Sequence, residues 1–546
     1  MNRIRKLAAV VKEGVSNPEK IKKGLKVLKN QGPVIFKERL SNSINYEPGY
    51  GRTRKVKLKS YSGDILFSIV MPVYNVDLKW LDKAIESIEK QNYKNWEICI
   101  ADDCSPNQEV REHLLSISNN KIKVKLLDKN QGISGATNEA ASLASGDYIL
   151  LMDNDDELAH SALHEFYQKI KKDGSEILYS DMDIIDAKGR TRDPLCKPDW
   201  SPDLFLSQMY LGHLVGFKKS LFDEVGGFRS EFNGSQDYDL LLRMTEKTDK
   251  IGHVAEILYH WRDLPSSTAA NPESKPYAQI AGLNAIQEHL NRVYGSGKAI
   301  AHETDNLFVY DVRYPMEEEP MVSIIIPIKD HVELLKAAID SIFEKTTYKH
   351  YEIIVLNNNS EKEETFAYLR ELVECHENVR VEDALFEFNW SKLNNYGMQF
   401  AKGDVFVCLN NDVKVIEPEW LTRLVEKAIR SDVGVVGGLL LYEDNTIQHA
   451  GVVIGMGGWA DHVFKGMNPQ HYGSPFISPM VTRNVSAVTG ACLAVSRKTI
   501  EKIGGFNEQF IVCGSDIELA LRANKHGLVN IYDPNVKLYH FESKSR

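Results

Sequence analysis

Carboxylates gathered at the ends of apolar runs are the first residues in this sequence that could do chemistry. Asp153-Asn-Asp-Asp156 directly follows Tyr148-Ile-Leu-Leu-Met152. Three carboxylates at one strand end repel one another unless a cation sits among them. Thiol-free oxygen ligation suits Mg2+ or Mn2+ shared with phosphate oxygens. A solvated acidic turn is the competing reading. An EF-hand is disfavoured, because its required Gly and its terminal Glu at loop position twelve are absent.

Three further clusters carry polar groups of the right kind. Pro72-Val-Tyr74-Asn75 and Asp102-Asp103-Cys-Ser105 each close an apolar run. The acidic pair could accept hydrogen bonds from a base N–H and from ribose hydroxyls, but Asp and Ser also build plain turns. In Gly234-Ser-Gln-Asp-Tyr-Asp-Leu-Leu-Leu-Arg243, Asp237 or Asp239 stands near a helix start. A carboxylate there is either an N-cap or a general base for a hydroxyl. In Tyr259-His-Trp-Arg262, His260 is a candidate metal ligand and Arg262 a candidate phosphate contact. A lone histidine is more often structural; only its match to His540 lifts it.

That match belongs to a repeat. Phe67-Ser-Ile-Val-Met-Pro-Val73 recurs as Val322-Ser-Ile-Ile-Ile-Pro-Ile328, so Pro327 stands where Pro72 does. Tyr93–Ile98 recurs as Tyr348–Ile353, and Ser105 as Ser360. Gly146-Asp147 recurs as Gly403-Asp404, Val225–Phe228 as Ile503–Phe506, and Leu258–His260 as Leu538–His540. A unit this long is a duplicated domain, not a solenoid repeat. The expected divisions are an arm over 1–62, a first domain over 63–314 and a second over 320–546, with Pro315 and Pro320 bracketing the linker.

Within a copy, helix and strand alternate. Strands are expected at Phe67–Val73, Glu97–Ala101, Lys123–Leu127 and Tyr148–Met152, and helices at Lys79–Gln91 and Gly135–Ala144. This predicts an α/β fold with a mostly parallel, Rossmann-like sheet, which binds ligands beyond the carboxyl ends of its strands.

The bulk composition fits an ordinary globular protein with real cores. The chain has 546 residues, 43% hydrophobic and 26% charged, and no apolar run of transmembrane length or signal-peptide type. Seven cysteines, none in a CxxC pair, fit a reducing cytosol better than a structural zinc site. The net charge is −10, yet residues 1–60 hold 16 Lys/Arg against 4 Asp/Glu. An acidic body with a basic arm argues against nucleic-acid binding. The arm could form a basic helix touching anionic lipid at the inner membrane face, or one packed on the protein's own acidic surface.

Together, PVYN, the DD–S turn, the DxD-type cluster, GGF, QDYDLLLR and YHWR make both copies resemble family 2 glycosyltransferases of the GT-A fold. The resemblance covers about residues 66–300 and 320–546, and such tandem pairs resemble enzymes of bacterial O-antigen, capsule and rhamnan synthesis. It implies inverting transfer from a UDP- or dTDP-sugar to a lipid-linked or oligosaccharide acceptor, with Mn2+ or Mg2+. Pro72, Tyr74, Asp102 and Asp103 would surround the nucleotide. Asp153 and Asp155 would be the DxD pair, Asp237 the base, and His260 would complete the metal site. Gln236 stands where the family usually has Glu, so Asp237 is expected to ionise more easily.

The second copy departs from the pattern. It has Asn357 and Asn358 for the acidic pair and Asn410 for Asp153; it keeps Asp412, Asp516 as base and His540. A second active site and a degenerate glycan-binding copy are both open. Ile447-Gln-His-Ala-Gly451 and His462 have no counterpart in the first copy. They either shape an acceptor groove or pack a loop. A sugar nucleotidyltransferase would need a Gly-rich basic loop after the first strand, where this chain reads PVYNVDLKW. A non-enzymatic glycan-binding scaffold is the remaining rival, against which the intact Asp153/Asp155/Asp237 set argues.

Overall fold

The computed structural model describes residues 60–117, 119–264, 276–470 and 477–541. The chain divides into Met1–Leu58 and Lys59–Arg546, and the account below concerns the second unit. The expected basic helix, in the 1–62 arm, lies outside the described residues.

Strands in the first half are Phe67–Val73 (β1), Trp96–Asp102 (β2), Ile122–Leu126 (β3), Tyr148–Leu151 (β4), Glu157–Leu158 (β5), Ile177–Ile185 (β6), Thr191–Leu195 (β7), Val215–Lys218 (β8) and Ile251–Arg262 (β9). A two-stranded antiparallel pair, Ile300–Glu303 (β10) and Tyr310–Arg313 (β11), follows. The second half supplies Val322–Ile328 (β12), Tyr351–Asn357 (β13), Val379–Asp383 (β14), Val405–Leu409 (β15), Val413–Val415 (β16), Val433–Leu441 (β17), Ile447–His449 (β18), Val452–Ile454 (β19), Ala460–His462 (β20), Arg483–Asn484 (β21), Cys492–Ser496 (β22) and Val529–His540 (β23).

The first sheet runs β3-β2-β1-β4-β8-β6-β9-β5 and the second β14-β13-β12-β15-β22-β17-β23-β16. Position by position these are one topology. β1 to β4 pair in parallel, as do β12 to β15. β8 and β22 then run antiparallel to both neighbours. β1 and β12 are buried along nearly their whole length, which explains why their sequences are apolar apart from the buried Ser68 and Ser323.

Several repeated landmarks hold this frame. Ser68 Oγ donates to Glu97 (2.7 Å) and receives the Gly146 N–H (2.9 Å); Ser323 does the same with Glu352 (2.6 Å) and Gly403 (2.8 Å). A Cβ on Gly146 would meet the Leu66 carbonyl at 2.6 Å, so only glycine fits. In GGF, the Phe228 backbone exchanges two hydrogen bonds with Asn138, as Phe506 does with Asn395. Arg243 binds Asp239 and the carbonyls of Val225 and Gly227, and Arg522 repeats this with Glu518, Ile503 and Gly505. The helices Gln236–Thr245 and Ser515–Lys525 are thereby locked onto the GGF turns.

The two halves join through buried polar contacts. Asp203 accepts from Arg430 Nη1 (2.5 Å) and from Asn484 Nδ2 (2.7 Å), and Asn484 Oδ1 accepts from Ser201 Oγ (3.0 Å). Arg430 and Asp203 side chains are 8% and 4% exposed. Removing one partner of such a pair leaves an uncompensated buried charge. Arg430→Met should therefore cost about 3–5 kcal/mol of stability. Urea denaturation monitored by fluorescence tests this, and a loss below about 1 kcal/mol would mean that Asp203 finds other compensation.

Candidate active sites

In the first copy the Asp153–Asp156 turn divides its carboxylates by role. Asp156 is 1% exposed; it accepts from the Tyr259 hydroxyl (2.5 Å) and the Arg262 N–H (2.6 Å), and burial pushes its carboxyl well above the usual range, with Asp153 adding to the rise. Asn154 Nδ2 donates to the Pro72 carbonyl (2.7 Å), tying this turn to the end of β1, where Tyr74 is 54% exposed. Those anchors leave Asp153 and Asp155 as the half-buried carboxylates. Asp155 is raised above its ordinary value, by burial first and then by Asp153.

Asp237 lies in the first turn of Gln236–Thr245, where its Oδ1 accepts the Tyr238 N–H at 2.9 Å. Burial raises its carboxyl, Asp153 adds to the rise, and His213 opposes it. The expectation of easier ionisation beside the neutral Gln236 thus meets a larger opposing effect, desolvation. His213 is a site residue that the motifs did not reveal. Its Nε2 stands 3.4 Å from Asp153 Oδ2, and its ring stacks on Tyr259 at 4.9 Å. It occupies the place of Ala491, since the offset aligning Val225 with Ile503 also aligns Gly212 with Gly490.

His260 Nδ1 lies 2.6 Å from Asp183 Oδ1. A carboxylate on one ring nitrogen fixes the proton there and turns the lone pair of Nε2 outward, the arrangement a metal-binding histidine uses. Three expected ligand contacts have internal partners. Arg262 is 1% exposed, donates to the Asp155 carbonyl (2.6 Å) and Glu157, and lies over the Trp80 ring at 4.3 Å. It braces the acidic turn from beneath and does not reach out to phosphate. Asp103 accepts the N–H groups of Gln131 (2.6 Å) and Gly132 (2.9 Å), and Asp102 pairs with Arg111 at 2.8 Å.

The second copy changes the polarity of that turn. Asn357 donates to Asp383 (2.8 Å), replacing the Asp102–Arg111 pair with a neutral–charged contact. Asn358 donates to the carbonyls of Ala384 and Phe386, both at 2.8 Å, where Asp103 accepts amides. Asn410 Nδ2 and Asp412 Oδ1 both lie 3.2 Å from His540 Nε2, and His540 Nδ1 lies 2.6 Å from Gln448 Oε1. Gln448, from β18, thus takes the orienting role that Asp183 of β6 has in the first copy. Asp516 accepts the Ile517 N–H (2.9 Å), repeating the Asp237–Tyr238 contact, and also the Gly490 N–H (2.8 Å).

A cavity of about 680 Å³ opens over these residues. Pro327, Asn358, Asn410, Asp412, Asp516 and His540 all line it, in the size range of a small-molecule site. Asn357 is not among the lining residues. Among the described residues no group of three or more His, Cys, Asp or Glu side chains is gathered as a metal cage. The pair Asp412–His540 offers two ligands, the number expected where phosphate oxygens and water complete an Mg2+ or Mn2+ shell.

Residues 68–226 and 323–504 match the sequence profile of glycosyl transferase family 2. An uncharacterized protein of Sinorhizobium fredii, y4gI, is 40% identical over 91% of this chain and 55% of its own length. The O-antigen biosynthesis protein RfbC of Myxococcus xanthus is 37% identical over 88% of this chain and 38% of its own length. The chain thus spans about half, or less, of these relatives. Among solved structures, S. aureus TarS with UDP-GlcNAc is 19% identical over 42% of this chain and 67% of its own, with a TM-score of 0.35. With both matched segments sharing one sheet topology, the chain belongs to glycosyltransferase family 2 and carries the family's α/β domain twice.

Proposed function

We propose that both copies are active, and that each transfers a sugar from a nucleoside-diphosphate donor to a growing cell-surface glycan with inversion. The observation that carries this reading is the cavity of the second copy, where nucleotide-side, DxD-type and base residues meet despite the lost carboxylates. In each copy an acceptor hydroxyl attacks the anomeric carbon as the bond to the diphosphate breaks. The electron pair leaves on the β-phosphate oxygen, and the hydroxyl proton passes to Asp237 or Asp516. A single displacement of this kind needs no carboxylate nucleophile, unlike a retaining glycosidase.

Asp155 with His260, and Asp412 with His540, are the residues that would hold Mn2+ or Mg2+. The ion would supply charge neutralisation for the departing diphosphate. Pro72, Tyr74 and Asp102 would border the nucleotide of the first copy, and Pro327 and Asn358 that of the second. UDP- or dTDP-sugars are the proposed donors; the names of two relatives support the acceptor class. RfbC is an O-antigen biosynthesis protein, and an Escherichia coli relative 34% identical over 22% of this chain glucosylates a diphosphoundecaprenol-linked sugar. All seven cysteines are unpaired, which supports a cytoplasmic setting. No helix among the described residues is long and apolar enough to cross a membrane.

Donor hydrolysis with and without Mn2+ tests the enzymatic reading. Wild type should release nucleoside diphosphate only with the metal, and Asp155→Ala should lose the first copy's share. If no donor in a broad panel turns over in either protein, the reading as a glycan-binding scaffold gains.

A further inference from the structure

The second copy carries an insertion between β17 and β22 that the first replaces with a shorter path from β6 to β8. Its β18 pairs with β17, and its β19–β20 hairpin brings His462 opposite Val452. His449 at the end of β18 has no exposed surface. Its Nε2 accepts the N–H groups of Gly451 (3.3 Å) and Thr489 (3.4 Å), and its Nδ1 lies 2.7 Å from His462 Nδ1.

Proton counting settles how this pair is wired. A nitrogen that accepts two backbone N–H groups cannot also carry a proton, so His449 is protonated on Nδ1. Two ring nitrogens in contact share one proton between them, so His462 Nδ1 is the acceptor. A neutral His462 then carries its own proton on Nε2. Burial, the neighbouring His462 and the Arg483 guanidinium all hold His449 in the neutral form. The neighbouring Gln448 sets the same tautomer in His540, whose Nδ1–H goes to Gln448 and whose Nε2 keeps its lone pair.

The pair is also keyed to the base. Thr489 gives its amide to His449, and the next amide, of Gly490, goes to Asp516. His462 lines the cavity together with Thr489, Gly490 and Asp516. The nucleotide wall is made by Pro327 and Asn358 at the ends of β12 and β13, whereas the insertion enters from β17, three strands beyond β12. His462 therefore belongs to the side from which a hydroxyl must approach Asp516.

We infer that His449 and His462 form an acceptor subsite of the second copy, in which His462 Nε2–H donates to an oxygen of the acceptor sugar. His449 is a positioning residue: it touches no substrate and fixes which nitrogen of His462 holds the proton. The inference rests on the reading that the second copy transfers sugar through Asp516.

The test uses the full chain carrying Asp237→Asn, so that only the second copy turns over, with p-nitrophenyl glycosides as acceptors and UDP- and dTDP-sugars as donors. His462→Ala should raise the acceptor KM about tenfold, the value of one hydrogen bond, while the donor KM moves less than twofold. His462→Gln keeps an N–H donor and should recover most of that loss. His449→Phe should reproduce the His462→Ala split, with the thermal melt of each variant confirming folding. An unchanged acceptor KM, or equal rises in both KM values, overturns the subsite while leaving the second copy active. No transfer by the Asp237→Asn parent itself overturns the underlying reading, and the subsite with it.

Discussion

Replacing Asp237 by Asn is expected to lower transfer by the first copy about a hundred- to ten-thousand-fold, the usual worth of a positioned general base. Asn is nearly isosteric and its Oδ1 can still accept the Tyr238 N–H, so the turn of Gln236–Thr245 should keep its shape. Only the ability to take a proton is lost. Asp239, two residues on, is the built-in control. Its carboxylate has no exposed surface and is held by Arg229 and Arg243. Asp239→Asn should therefore lower stability by leaving those guanidiniums under-compensated. Initial rates and urea midpoints for the two variants separate the roles. A drop below about fivefold in kcat for Asp237→Asn would remove it as the base.

Gln448→Ala is expected to weaken Mn2+ activation of the second copy about ten- to a hundred-fold, the range for losing a partner that orients a metal-binding histidine. Gln448 Oε1 is the acceptor that keeps the proton of His540 on Nδ1 and the lone pair of Nε2 towards Asp412. Without it the ring can rotate or change tautomer. The first copy orients His260 through Asp183, so its metal dependence should stay the same. Activity against Mn2+ concentration, with each copy isolated by a base substitution, reads the difference. An unchanged half-activating concentration for the second copy would show that His540 does not bind the ion.

The frame was legible in the sequence because its chemistry is local. Strands buried on both faces read as largely apolar runs, and Phe67–Val73 is the strand expected from its residues. The helix expected over Lys79–Gln91 runs Leu78–Glu89, because Asp77 caps it by accepting the Lys79 N–H. The sheet is less uniformly parallel than simple alternation implies: β8 and β22 are inserted against the grain. The repeated landmarks were visible as words, but Glu97, Gly146 and GGF are the words of the scaffold. What stayed hidden was the support around the site. Asp183 and Gln448 lie 77 and 92 residues from the histidines they orient, and join them only through strand pairing and an insertion. His213 precedes a buried strand and matches no motif, and alignment of the copies at Gly212 and Gly490 pairs it with Ala491, so the repeat does not mark it either. Arg262 reads as a phosphate contact by type, yet its place at the end of β9 puts it under the acidic turn.

The two copies differ most where a donor would be chosen. The first presents Asp102 and Asp103 held by a guanidinium and amides, and the second presents asparagines whose amides are turned to a carboxylate and to carbonyls. Under the proposal that both copies are active, this reversed hydrogen-bond polarity predicts that the two copies accept different donors.

A donor screen by mass spectrometry on Asp237→Asn, Asp516→Asn and the double variant tests the central claim most directly. Each single variant should add one sugar to the acceptor and stop, the two should draw on different donors, and the double variant should add none. If Asp237→Asn adds nothing from any donor while Asp516→Asn matches wild type, the second copy is not an active site and its cavity serves binding alone.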